Sequence, residues 1–162
     1  MQECGNKIIQ DKELVAFDTD MVGPYGYCAD ISRAFVVGNK FNEEQKKLYS
    51  MAVEQIDYNS NLIKPGLSFK KFTEKSWNLP EEYYPNRYSV MVHGIGLCDE
   101  WPAIRYPTDG GDRSGIFEEN MTITIESYIG KLGGKEGVKL EQQYIVKENG
   151  LELMSKHPLE DV

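Results

Sequence analysis

Histidine is nearly missing from this sequence: only His93 and His157 occur among 162 residues. Chemistry that needs an imidazole therefore has two places to reside. Positive charge is also scarce, with 18 Lys+Arg against 26 Asp+Glu and a formal net charge of −8. A chain with a sequence pI near 4.8 lacks the basic surface that nucleic acids and anionic membranes require, so neither is expected as a partner. Three cysteines, Cys4, Cys28 and Cys98, cannot all pair and show no C-x-x-C spacing, which fits a reducing compartment. No apolar run approaches the roughly 18 residues of a membrane helix and no signal-peptide core is visible, so the expected location is cytoplasmic.

What is present suffices for one folded unit. At 162 residues and 40% hydrophobic content, the chain has the size of a single domain and the material for a core. Residues 13–18 (ELVAFD) predict a short buried strand, followed by a turn over residues 21–27, where Gly23, Pro24 and Gly26 cluster. Residues 27–37 predict a second strand, closed by Gly38-Asn39. The period then changes. Asn42 is placed to cap a helix, Glu43 and Glu44 occupy its first turn, and Leu48, Met51, Ala52, Ile56, Leu62 and Ile63 share one face until Pro65-Gly66. Ser68 is placed to cap a shorter helix carrying Phe69, Phe72 and Trp77. Residues 78–87 read as a loop, 88–93 (YSVMVH) as a third strand and 94–117 as a long functional loop. Alternation at 121–128 and 138–146 predicts two more strands, and Asn149-Gly150 a hairpin turn into 151–154. The expected class is α+β, with a curved antiparallel sheet and few helices.

Six ionisable residues interrupt these strands. Asp18 and Asp20 close the first, Asp30 lies inside the second, His93 ends the third, and Glu126 and Glu141 sit in the next two. A carboxylate buried in a strand costs several kcal/mol unless something neutralises it. Asp30, Glu126 and Glu141 are flanked by Ala29, Ile31, Ile125 and Leu140, which makes a plain surface position the weaker explanation for them. Strands of one sheet can bring all six to a common centre. Carboxylates with one imidazole suit two divalent cations about 3.5–4 Å apart, drawn from Fe, Mn, Zn, Co or Ni.

The segments FDTD…YCADISRAF, VHGIGL, TITIES and GVKLEQQYIV resemble, in order and spacing, the catalytic half of the creatinase/prolidase/methionine-aminopeptidase family, whose fold is called pita-bread. The likeness runs from about Glu13 to Leu153. It implies that fold, an enzyme, and a dinuclear metal centre held by Asp20, Asp30, His93, Glu126 and Glu141. Members usually carry an N-terminal domain and often dimerise. The resemblance therefore implies that residues 1–162 are the C-terminal catalytic part of a longer, homodimeric protein.

Departures from the peptidase pattern narrow the likeness. Xaa-Pro peptidases of the family usually follow the metal histidine with HGIGLxVHExP, whereas this chain reads HGIGLCDEWP, one residue shorter, with Asp99 where the second histidine falls. Ser-Tyr follows Glu126 in place of Pro-Gly, and Lys139 stands in place of an arginine. The pattern FDTDxxGPYG…DISR with HGxGLCDE is similar to the dimethylsulfoniopropionate lyases of the DddP type. That likeness implies Asp18 as a further ligand, Asp99 as catalytic base, Tyr88 in support, and elimination of dimethyl sulfide from a small zwitterionic carboxylate. A sulfonium is drawn to aromatic faces, and Trp101 and Tyr88 are the candidates to bind it, while Tyr83, Tyr84 and Tyr106 read as loop packing. Asp99 also fits a simple turn cap before Glu100. Two other functions stay open: an Xaa-Pro dipeptidase or aminopeptidase using a metal-bound hydroxide, and a non-catalytic binding module of the same fold. Cys28 and Cys98 are read as buried thiols without a role.

Overall fold

A computed structural model describes residues 5–38, 40–110, 114–160 and 162. Cys4 and Asn39, named above, lie outside the described residues. Strands β1 (Leu14–Val22) and β2 (Cys28–Val36) form a two-stranded antiparallel sheet joined through a short turn of 3-10 helix at Pro24–Gly26. The first strand runs further than its apolar core predicts, because Met21 and Val22 pair with Ala29 and Cys28. A cross-strand partner extends it as far as Val22, which local sequence does not reveal.

Asn42 caps helix α1 (Glu43–Leu62) reciprocally: its side chain accepts from the Gln45 N–H at 2.9 Å, and the Gln45 side chain accepts from the Asn42 N–H at 3.0 Å. Leu48, Ala52, Ile56 and Ile63 are buried, whereas Met51 and Leu62 pack at the margin of the core. Ser68 caps helix α2 (Phe69–Lys75), whose Phe69 and Phe72 meet Phe117 edge-on at 5.0 and 5.7 Å. Trp77 falls just beyond that helix. No helix among the described residues is long and apolar enough to cross a membrane.

Strands β3 (Val90–Gly94), β4 (Ala103–Arg105), β5 (Thr122–Gly130), β6 (Gly137–Lys147) and β7 (Gly150–Leu153) form a second antiparallel sheet in the order β4-β3-β5-β6-β7. β4 interrupts the stretch expected to be loop throughout. It is too short to show a period, and only its pairing of Ile104 with Val92 and Ala103 with His93 makes it a strand. In the last hairpin Lys147 lies opposite Gly150, so Asn149 sits in the turn and Gly150 opens the strand.

Two sheets thus replace the single one expected. β2 faces β6 through side chains instead of a ladder: the Gln143 side chain accepts from the Asp30 N–H at 3.3 Å, and the buried Arg33 donates to the Glu141 carbonyl at 2.7 Å. Both faces of the β5–β6 pair are consequently covered. Ile123, Ile125, Ile129, Val138, Leu140 and Val146 lie on the side of α1, where Ser127 donates to the Gln55 side chain at 2.6 Å. Burying each such aliphatic side chain stabilises the fold by roughly 1.5–3 kcal/mol. The opposite side carries Thr124, Glu126, Lys139, Glu141 and Gln143 and faces the β1–β2 pair.

Candidate metal centre

Register alone places the acids together. Asp20 lies opposite Asp30 and Asp18 opposite Ser32; Glu126 lies opposite Glu141, and His93 opposite Thr124. Side chains alternate between faces with a period of two, so residues paired or two apart share one face. The acids therefore come from two facing sheets, not from the one sheet expected. His93 Nε2 stands 3.3 Å from Glu126 Oε1, 3.3 Å from Glu141 Oε1 and 3.7 Å from Asp30 Oδ2. Oxygens of Asp20, Asp30 and Asp99 also lie within 4.8 Å of one another. Asp30, His93, Glu126 and Glu141 are buried, while Asp20 and Asp99 open to solvent.

Lys139 and Ser32 were not among the expected site residues, yet both are built into the cluster. The Lys139 ammonium pairs with Glu126 Oε2, with Glu141 Oε2 at 3.3 Å and with Asp18 Oδ1 at 3.7 Å. The Ser32 hydroxyl bonds Asp18 and lies 3.0 Å from Glu141 Oε2. A period-two reading of KLEQQ does contain the signal: Lys139, Glu141 and Gln143 share a face, and a lysine beside a buried acid on that face needs an anionic neighbour.

Crowding shifts these groups in ways that follow from their neighbours. Burial, then the charges of Glu141 and Asp20, pushes the Asp30 carboxyl up to about 9. Burial likewise raises Glu126 to about 8, against the pull of Lys139. Burial alone would lower His93, but its contact with Glu141 and the charge of Glu126 raise it to about 9. For Glu141, burial is outweighed by His93 and Lys139, which hold it down at about 2. The surrounding acids keep Lys139 firmly charged despite its burial.

Asp99 reaches the cluster from the 95–102 loop. That loop is fastened by the Gly94 N–H donating to the Pro102 carbonyl at 3.0 Å, and it approaches Gly94 so closely that a Cβ there would lie 2.1 Å from the Trp101 carbonyl oxygen. Asp99 also accepts from the Glu100 N–H at 3.0 Å, so the turn-cap contact coexists with its place beside Asp20 and Asp30. Tyr88 lines a cavity of about 150 Å³ with Lys139, Tyr128 and Arg87, its ring centre 4.9 Å from the Lys139 ammonium. Trp101 is placed apart from the acids: it is 62% exposed and lines a different cavity, of about 350 Å³, with Tyr27, Leu97 and Met121. Tyr83 and Tyr106 are buried and Tyr84 packs edge-on against Tyr106 at 5.8 Å, as loop packing requires. Cys28 is half-buried and Cys98 exposed, so the expected burial of both thiols does not hold.

The donor set fits a divalent cation. Asp30 Oδ1, Glu126 Oε1 and Glu141 Oε1 are buried without a hydrogen-bond partner among the described residues. Each such oxygen costs about 1–3 kcal/mol if left unmet. His93 Nδ1 donates to the Gly94 carbonyl at 3.0 Å, which directs Nε2 toward those oxygens, the orientation a ligating imidazole needs.

Comparison with known proteins gives consistent results. The model of metallopeptidase family M24 matches residues 1–148. The dimethylsulfoniopropionate lyase DddP of Roseovarius nubinhibens is 38% identical over 163 residues, covering 98% of this chain and 36% of the lyase. The Xaa-Pro dipeptidase of Pyrococcus furiosus is 32% identical over 158 residues, covering 94% of this chain and 42% of the dipeptidase. The solved prolidase from Pyrococcus furiosus superposes with a TM-score of 0.80 at 29% identity over 95% of this chain and 44% of its own, and the fold is the pita-bread fold of such prolidases. The chain thus spans less than half the length of these relatives, between 36% and 44%.

Proposed function

The chain belongs to metallopeptidase family M24, and from that premise we propose that it is a metal-dependent lyase in which Asp99 removes a proton beside a substrate carboxylate. Enzymes of this family use divalent metals. We assign Asp18, Asp20, Asp30, His93, Glu126 and Glu141 to hold two of them, drawn from Fe, Mn, Zn, Co or Ni. Such ions, when bound, draw charge from a carboxylate and so acidify the neighbouring C–H.

One observation carries the reading. A carboxylate, Asp99, stands within 4.8 Å of Asp20 and Asp30, and no second imidazole is near, since His157 lies in the tail edge-on to Phe35 at 6.0 Å. The likeness to the Roseovarius lyase supports the substrate class, dimethylsulfoniopropionate or a similar zwitterion. In the elimination Asp99 takes the proton from the carbon next to the carboxylate. The C–H electron pair becomes the C=C bond of acrylate, and the C–S pair leaves with sulfur as neutral dimethyl sulfide. The Glu100 N–H fixes one Asp99 oxygen and leaves the other for the proton. Tyr88, half-buried with its ring 4.9 Å from the Lys139 ammonium, supports this arrangement, whereas Trp101 faces the other cavity and has no part in it.

The similarity to prolidase favours a second reading, an Xaa-Pro peptidase using the same acids. A binding module without metal is disfavoured, because it leaves Asp30 Oδ1 buried without a partner and the Oε1 atoms of Glu126 and Glu141 sharing only the His93 ring at 3.3 Å. The test gives the full chain, loaded with each metal in turn, dimethylsulfoniopropionate and an Xaa-Pro dipeptide in parallel. Headspace dimethyl sulfide is expected, falling at least about 100-fold in Asp99→Asn with metal content unchanged. Proline release without sulfide overturns the lyase in favour of the peptidase, and failure to take up any metal at pH 7 leaves only the binding module.

A further inference from the structure

Lys139 is assigned neither to ligation nor to substrate above, yet its side chain is 2% exposed. It is the only lysine or arginine paired with the cluster carboxylates among the described residues. Both glutamates are divided between two duties. Their Oε2 atoms face Lys139, while their Oε1 atoms face His93 Nε2 at 3.3 Å and have no hydrogen-bond partner. Ser32 lies on the Lys139 side as well, between Asp18 and Glu141 Oε2.

We propose that Lys139 is a positioning residue, a built-in counter-cation that holds one oxygen each of Asp18, Glu126 and Glu141 and so keeps the opposite glutamate oxygens turned toward the metal position. The inference rests on the metal reading above and deepens it. When ionised, Asp18, Asp20, Asp30, Glu126 and Glu141 bring five negative charges. Two divalent ions supply four positive charges and the ammonium the fifth, so the loaded ligand set is neutral and the Asp99 carboxylate beside it carries the one remaining negative charge. Before metal arrives, the ammonium is the lysine or arginine charge paired with Asp18, Glu126 and Glu141. A lysine that merely filled space would stabilise the chain equally with and without metal; a counter-cation matters most without it.

The experiment follows thermal unfolding of the full chain in EDTA and in saturating Mn²⁺, for wild type, Lys139→Met, Lys139→Arg and the double variant Asp18→Asn/Lys139→Met. Lys139→Met is expected to lower Tm by on the order of 10 °C in EDTA, and by less than half of that in Mn²⁺. Lys139→Arg keeps the charge and recovers most of the loss, and the double variant, which removes an acid together with the ammonium, recovers part of it in EDTA. Should Lys139→Met not fold in EDTA, its folding on addition of Mn²⁺ supports the proposal, and failure to fold in both conditions together with failure of the double variant overturns it. Equal losses with and without Mn²⁺ overturn it while leaving the metal reading intact. A wild-type Tm that Mn²⁺, Zn²⁺ and Co²⁺ all leave unmoved overturns both.

Discussion

Replacing Arg33 with methionine cuts the fastening between the two sheets. Arg33 is 4% exposed, and its guanidinium spends every donor locally. Nη1 donates to the carbonyls of Ser32 at 2.8 Å and Glu141 at 2.7 Å; Nη2 donates to the Gln142 side chain at 2.7 Å and to the His157 carbonyl; Nε donates to the Pro158 carbonyl at 3.1 Å. One side chain thus joins β2, β6 and the C-terminal tail, just where no backbone ladder joins β2 to β6. Methionine keeps the stem volume and none of the donors. Water can replace those lost at His157 and Pro158, which are exposed, but not those at Ser32 and Glu141. Hydrogen bonds from a charged donor are worth about 1.5–3 kcal/mol each, so the two unreplaced ones amount to about 3–6 kcal/mol. For a chain of this size that lowers Tm by about 10 °C and, with a typical m-value, the urea midpoint by roughly 2 M. Urea titration followed by circular dichroism reads this directly, and Mn²⁺ affinity should fall with it because the Glu141 backbone loses its anchor. A loss below about 1 kcal/mol at unchanged m would refute the claim that Arg33 holds the sheets together.

Three further outcomes are expected. Asp30 and Glu126 keep their protons to about 9 and about 8, against the usual 3.8 and 4.5, and His93 to about 9 against 6.5. The folded metal-free chain therefore binds more protons than the unfolded chain between about pH 6.5 and 8, and stability falls as pH rises through that window. The Glu141 shift acts in the opposite sense only in acid, as pH falls through 4.5 toward about 2. Tm in EDTA should accordingly be lower near pH 8 than near pH 6.5, while Mn²⁺ affinity rises over the same range; a flat profile in EDTA contradicts the proton count. Gly94→Ala places a Cβ 2.1 Å from the Trp101 carbonyl oxygen, so the loop carrying Asp99 must shift, and kcat for sulfide release should drop far more than metal content does. Asn42→Ala removes the reciprocal cap of α1 and should cost about 1 kcal/mol in urea without altering metal uptake, since the helix packs on the face of β5 and β6 away from the acids.

The helices were legible because their signals are local. Asn42, Ser68 and the apolar spacing from Leu48 to Ile63 act within a few residues of themselves. The unusual burial of Asp30, Glu126 and Glu141 was legible for a related reason: an aspartate or glutamate inside an apolar strand is costly wherever the strand goes. β4 was not legible, having three residues and no period of its own. Lys139 is not legible as a site residue, because a lone lysine in an alternating strand reads as solvent-facing until the opposite sheet is known.

Residue types and spacings by themselves determined that α1 caps at Asn42 and that Asp30, His93, Glu126 and Glu141 lie in strands. Tertiary structure alone decided that the acids converge from two sheets facing one another, that Arg33 and Gln143 bridge those sheets, and that Lys139 stands among the carboxylates. The reason is physical. Alternation along a strand fixes which residues share a face, a property of neighbours in the chain. Which face meets which depends on contacts between residues more than one hundred positions apart, such as Asp30 with Gln143, and no local period encodes that distance.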